Sequence, residues 1–179
     1  MTNNRPTTLQ EHAMRFGTVM GIYWIFKFIF LPMGFKIPFL HLLFVLLTLL
    51  VPVLGYIYAR KYRMKYCDNE ISFLRAFSFT LLMYMFASLL TTVAHYVYFR
   101  FFDQGFIIET YRTQLESIQS AGIQGLSDSI EPLMQTIDAI AALTPIQLTA
   151  QLISQNIFYG TILALFTALL VMRQKKIIS

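Results

Sequence analysis

Five polar side chains stand in otherwise apolar stretches of this chain: Lys27, His41, His95, Gln155 and Asn156. These types build proton relays and ligand pockets when held at membrane depth, where a polar group is expensive and usually has a partner. An imidazole adds titration near neutral pH. Counting inward from the expected ends of the apolar stretches puts all five near the outer interface and away from the midplane. There a lysine stem can lie along apolar surface with its head in water. Two readings stay open: interfacial residues without a chemical role, or a polar pocket opening outward and built from His41, His95 and Asn156.

Other chemistry fails on spacing. His12, His41 and His95 share no ligand motif, and His12 falls on the opposite side from the other two, so no metal site is expected. HExxH, a glycine-rich phosphate loop and a nucleophile elbow are all missing. The long apolar stretches contain no Asp or Glu, so the central groups of an intramembrane protease or a proton-driven antiporter are not there. Ser88, Thr91 and Thr92 can hydrogen-bond to their own helix. The expectation is a non-enzymatic chain with no catalytic residue and no cofactor.

The elements that must position these residues are four apolar stretches, Met14 to Leu31, Ile37 to Tyr58, Phe73 to Phe101 and Gln151 to Met172. A helical span needs about 20 mostly apolar residues. In lipid only a helix or a closed barrel satisfies its own amides, and these runs are too continuous for barrel strands of period two. The expected fold class is therefore an all-α membrane protein with four transmembrane helices and an amphipathic helical hairpin between the third and fourth on the outer side. With 179 residues there is room for a single helical membrane domain, 1–179, including an extracytoplasmic excursion over 103–144.

The net charge of +5 does not point to nucleic acid, because ten of the fourteen Lys and Arg gather on one side of the expected topology. Arg5 and Arg15 precede the first span, Arg60, Lys61, Arg63, Lys65 and Arg75 surround the second connection, and Arg173, Lys175 and Lys176 follow the fourth. Basic residues collect in cytoplasmic loops, so both termini are expected in the cytoplasm. Arg60, Lys61, Arg63 and Lys65 are the candidate contacts to a partner or to membrane lipids, whose anionic headgroups attract such a segment. Cys67 is the only cysteine, which excludes an intramolecular disulfide. The first stretch lacks a small-residue cleavage pattern and is read as a retained anchor in a bacterial cytoplasmic (inner) membrane.

The first connection, Leu31 to Pro38, forces a tight hairpin, its Pro and Gly supplying the break. The second is expected from Ala59 to about Ser72. The third span runs long and is expected to project beyond the outer headgroups. Thr144-Pro145-Ile146-Gln147 reads as a helix start with a capping box. In the excursion, Ile107, Ile108, Tyr111, Leu115 and Ile118 recur at helical spacing, as do Ile130, Leu133, Met134, Ile137 and Ile140. Gly122 to Gly125 separates the two patterns, Ser127 and Asp128 are candidate caps, and Pro132 belongs in a first turn. The apolar face of this hairpin either packs internally or docks a partner or the outer leaflet. Ala13, Gly17 and Gly21, and Gly160, Ala164 and Ala168, mark faces for close helix approach.

Glu70-Ile71-Ser72-Phe73, Arg75-Ala76-Phe77, the small and hydroxyl residues Ala87 to Thr92, and Tyr96-Val97-Tyr98-Phe99 with Phe102-Asp103 together resemble a bacterial four-helix domain of unknown function, numbered 4199. The Thr144-Pro145 start and the Arg173 to Lys176 end are similar to it as well. The resemblance implies an inner membrane of the Bacteroidota type. It also implies a neighbourhood that includes a membrane-linked glycosyltransferase working on polyprenyl phosphate. It transfers no catalytic residue. The function expected is a scaffold or accessory subunit of such a membrane-linked glycosyltransferase system. The alternatives are a transporter or lipid-handling protein with a groove between the third and fourth helices, and an outer-interface enzyme using His41 and His95.

Overall fold

The computed structural model describes residues 8–121 and 127–173, with side chains in the second stretch from Ile130 onward. Its helices are α1 (Leu9–Gly34), α2 (Pro38–Tyr66), α3 (Phe73–Tyr98), α4 (Phe106–Ser120), α5 (Ser127–Ala141) and α6 (Pro145–Val171), with a π-helical turn, Phe99–Asp103, prolonging α3. Four of these, Leu9–Gly34, Pro38–Tyr66, Phe73–Asp103 and Pro145–Val171, are long and apolar enough to cross a membrane. No strand occurs among the described residues beyond one isolated bridge. The Gly122 to Gly125 break and the Ser127 and Asp128 side chains lie outside what is described.

Several boundaries differ from the sequence expectation. Pro32 does not break the first helix but sits inside α1, and the turn falls at Phe35 to Ile37. Buried transmembrane helices tolerate proline because neighbouring groups take over the freed backbone bond. The second connection does not begin at Ala59, since α2 runs on to Tyr66 and carries the basic residues on its last turns. Lys, Arg, Met and Tyr continue a helix readily, and the chain stops only at Asp68 and Asn69, both left-handed with φ 49° and 62°. Pro132 lies beyond the first turn of α5.

The chain divides into two compact units. The first comprises 8–91 and 153–173 of the described residues: α1, α2, most of α3 and most of α6. A capping box opens α1, with Thr8 N–H donating to Glu11 Oε2 at 3.0 Å and Glu11 N–H to Thr8 Oγ1 at 3.3 Å. Small residues set the packing. A methyl added at Gly17 would stand 2.6 Å from the Met83 carbonyl, so α1 lies directly against α3 there. The core is built from Ala13, Met20, Tyr62, Phe79, Met83, Tyr84, Ala87 and Ala164. Tyr62 and Phe79 stack with ring centroids 4.0 Å apart. The outside is apolar too, with Ile22, Phe26, Leu49, Phe166 and Leu170 exposed, as suits a lipid solvent.

The second unit, 92–152, contains the end of α3, the π turn, the α4–α5 pair and the start of α6. The α4 and α5 helices pack on one another. Arg112 of α4 joins them by donating to Asp138 of α5 at 2.6 Å and to Glu109 at 3.3 Å. Asp103 is buried and caps α4, accepting from the N–H groups of Gly105 (3.1 Å) and Ile107 (3.2 Å). Gln104 and Gly105 turn the chain with positive φ, which glycine adopts at no steric cost. The Thr144–Gln147 capping box is present: Thr144 N–H donates to Gln147 Oε1 at 2.9 Å and Gln147 N–H to Thr144 Oγ1 at 3.4 Å.

Candidate functional site

Within the first unit, the start of α1, the end of α2, the α2–α3 connection and the end of α6 meet. The meeting is stitched by backbone and side chain. Ile71 and Arg173 exchange two main-chain hydrogen bonds, 2.9 and 3.0 Å, tying the short α2–α3 connection to the end of α6. Arg63 donates from Nη1 to the Val171 carbonyl at 2.7 Å, supplying a donor and a positive charge to the end of α6, whose last turn has no basic residue. His12 is buried, its ring 3.9 Å from Tyr66 and 5.6 Å from Tyr62. Tyr62 is buried in the core, with Arg75 and the buried Cys67 close to it. Sequence reasoning placed His12 apart from the other two histidines and counted Arg75 among the basic residues around the second connection, without joining either to Tyr62. The link is tertiary and has no signal in spacing.

The four basic candidates therefore separate by role. Arg60, Lys61 and Lys65 are exposed around the last turns of α2. Arg63 is half-buried and held by Val171. The band is thus a set of three exposed cations on the last turns of a helix, beside a fourth held by Val171.

The outer candidates fall into both units. His41 sits at the first turn of α2, in the first unit, half-buried against Gly34 with Phe35 and Phe44 edge-on at 5.7 and 6.3 Å. Asn156 is half-buried on α6 in the same unit. His95 belongs to the second unit, buried at 8% exposure with Phe99 edge-on at 6.3 Å. Among the described residues no three His, Cys, Asp or Glu side chains converge to hold a metal ion. In the second unit an open depression of about 750 Å³ lies along the first turns of α4, and its carboxylates, Asp103 and Glu109, are already engaged in the cap and with Arg112.

Inside the first unit Tyr84 fills the centre. Its hydroxyl rests in the space left by Gly55 of α2, its Cβ lies 3.0 Å from where a methyl on Gly160 of α6 would stand, and it stacks with Trp24 at 6.0 Å. Neither the Tyr84 hydroxyl nor Trp24 Nε1 has a hydrogen-bond partner among the described residues.

The family model described as "Protein of unknown function (DUF4199)" matches residues 15–173. The chain belongs to this family. The DUF4199 match runs from within α1 through the end of α6 and so covers residues of both units. The chain matches no curated protein and no solved structure.

Proposed function

We propose that this DUF4199 protein is a multi-pass protein of a bacterial inner membrane that works without catalysis of its own, as a scaffold or accessory subunit. The observation that carries the reading is the basic band on α2: Arg60, Lys61 and Lys65 point outward from a helix end that is fixed to α6 by Arg63 and to the α2–α3 connection. By the rule that cations stay in the cytoplasm, the band and both termini are cytoplasmic and the α4–α5 pair is on the outer side. Each exposed cation contributes about 1 kcal/mol toward an anionic surface. The partner class is a membrane-linked glycosyltransferase acting on polyprenyl phosphate, in keeping with the family resemblance and with a band suited to acidic or phosphate-bearing surfaces. Tyr84 packed on Gly160 weighs against the rival groove between α3 and α6, because it brings those helices into contact at that level.

The reading is tested by purifying the tagged chain from its own membranes in mild detergent and quantifying the proteins and lipids that accompany it. A membrane glycosyltransferase present at near-equal amount supports it. A chain that purifies alone, or one that hydrolyses or transfers a substrate unaided, defeats it.

A further inference from the structure

Lys27 is the one cation of α1 between Arg15 and its C-terminus, and among the described residues no carboxylate pairs with it. The turn places Gly34 against His41, so the antiparallel register of α1 and α2 brings Lys27 level with Thr48, on the order of 10 Å inside the turn at about 1.5 Å per residue. The Lys27 amine donates to Thr48 Oγ1 at 3.1 Å and lies 5.4 Å from the centre of the Phe44 ring. Thr48 gives its own proton to the Phe44 carbonyl at 2.8 Å, which leaves it a neutral acceptor facing the lysine. The amine therefore stays at the depth of its own helix position instead of reaching toward the headgroups, as a snorkelling lysine does.

A charge at that depth is paired in functional membrane proteins. Among the described residues both ion pairs belong to Arg112. The sequence has no Asp or Glu between Glu11 and Asp68, nor within α3 or α6, so a second copy of this chain cannot supply a carboxylate at that level. Thr48 itself is exposed, as is Val45 one turn before it on the same side of α2.

We propose that this α1–α2 face docks a transmembrane helix of a partner protein carrying an Asp or Glu opposite Lys27. The proposal rests on the accessory-subunit reading and names the chemistry by which the partner is recognised within the membrane. A photo-crosslinking residue in place of Val45, in the full chain in its native membranes, tests it by peptide mapping of the adducts. The expected adduct is to an apolar span of a second protein containing Asp or Glu, reduced about tenfold by Lys27→Met, retained by Lys27→Arg, and lost when that carboxylate is changed to its amide. The partner's amide variant leaves this chain untouched, so it decides the matter even if Lys27→Met folds poorly. Adducts only to phospholipid, to another copy of this chain, to a span without a carboxylate, or none at all would overturn the proposal, as would a yield indifferent to Lys27→Met. If a partner still co-purifies with the chain in those cases, only the Lys27 pairing fails. If the unaltered chain purifies alone, the accessory reading fails with it.

Discussion

Arg63 and Val171, 108 positions apart in sequence, are joined by a 2.7 Å hydrogen bond from a guanidinium to a main-chain carbonyl. The bond fixes the end of α2 to the end of α6. It also explains why one cation of a basic band is half-buried while its neighbours are exposed.

Replacing Arg63 by Gln should therefore lower stability by about 1.5 kcal/mol, the scale of a hydrogen bond to a charged group. Arg60→Gln, in an exposed side chain, should leave it nearly unchanged. Thermal melting of both variants in the same detergent checks this, and equal melting temperatures would show that the Val171 contact contributes nothing.

Gly55 and Tyr84 make a second test of packing. A methyl at Gly55 collides with the Tyr84 hydroxyl, so Gly55→Ala should destabilise by about 1–3 kcal/mol through overpacking. Tyr84→Phe removes a hydroxyl without a partner among the described residues and should cost little or nothing. Combined with Gly55→Ala it should recover part of the loss. Additive effects in a double-mutant cycle would refute the collision.

The long helices were legible because apolar run length is a one-dimensional signal, and the Thr144–Gln147 cap because its two residues are adjacent turns of one helix. The end of α2 was misplaced since hydropathy falls at Arg60 while the helix does not, its stop being set by the left-handed Asp68 and Asn69. Pro32 was read as a break because proline usually is one outside a membrane. The pairings that shape the candidate site, Arg63 with Val171, Tyr62 with Arg75 and Gly55 with Tyr84, join residues distant in sequence or without a shared period. Nothing in a linear pattern carries them.

Sidedness calls for a probe other than the native cysteine, because Cys67 is buried. Asp68 is exposed beside it. In a Cys67→Ala background, Asp68→Cys should resist a membrane-impermeant maleimide in intact cells and react once the membrane is opened, as the basic band requires. Reaction in intact cells would invert the topology.

The central claim is that the exposed cations of α2 hold a cytoplasmic-side partner or anionic lipid. Its most direct measurement compares two full-length variants for what co-purifies in mild detergent: Arg60→Gln/Lys61→Gln/Lys65→Gln, and His41→Gln/His95→Gln. At about 1 kcal/mol per cation, the triple variant should lose its partner or bound anionic lipid on the order of 100-fold while still folding, and the histidine variant should keep both. A triple variant that retains them, together with a histidine variant that loses a bound ligand or a phenotype, would contradict the account and favour the outer polar pocket.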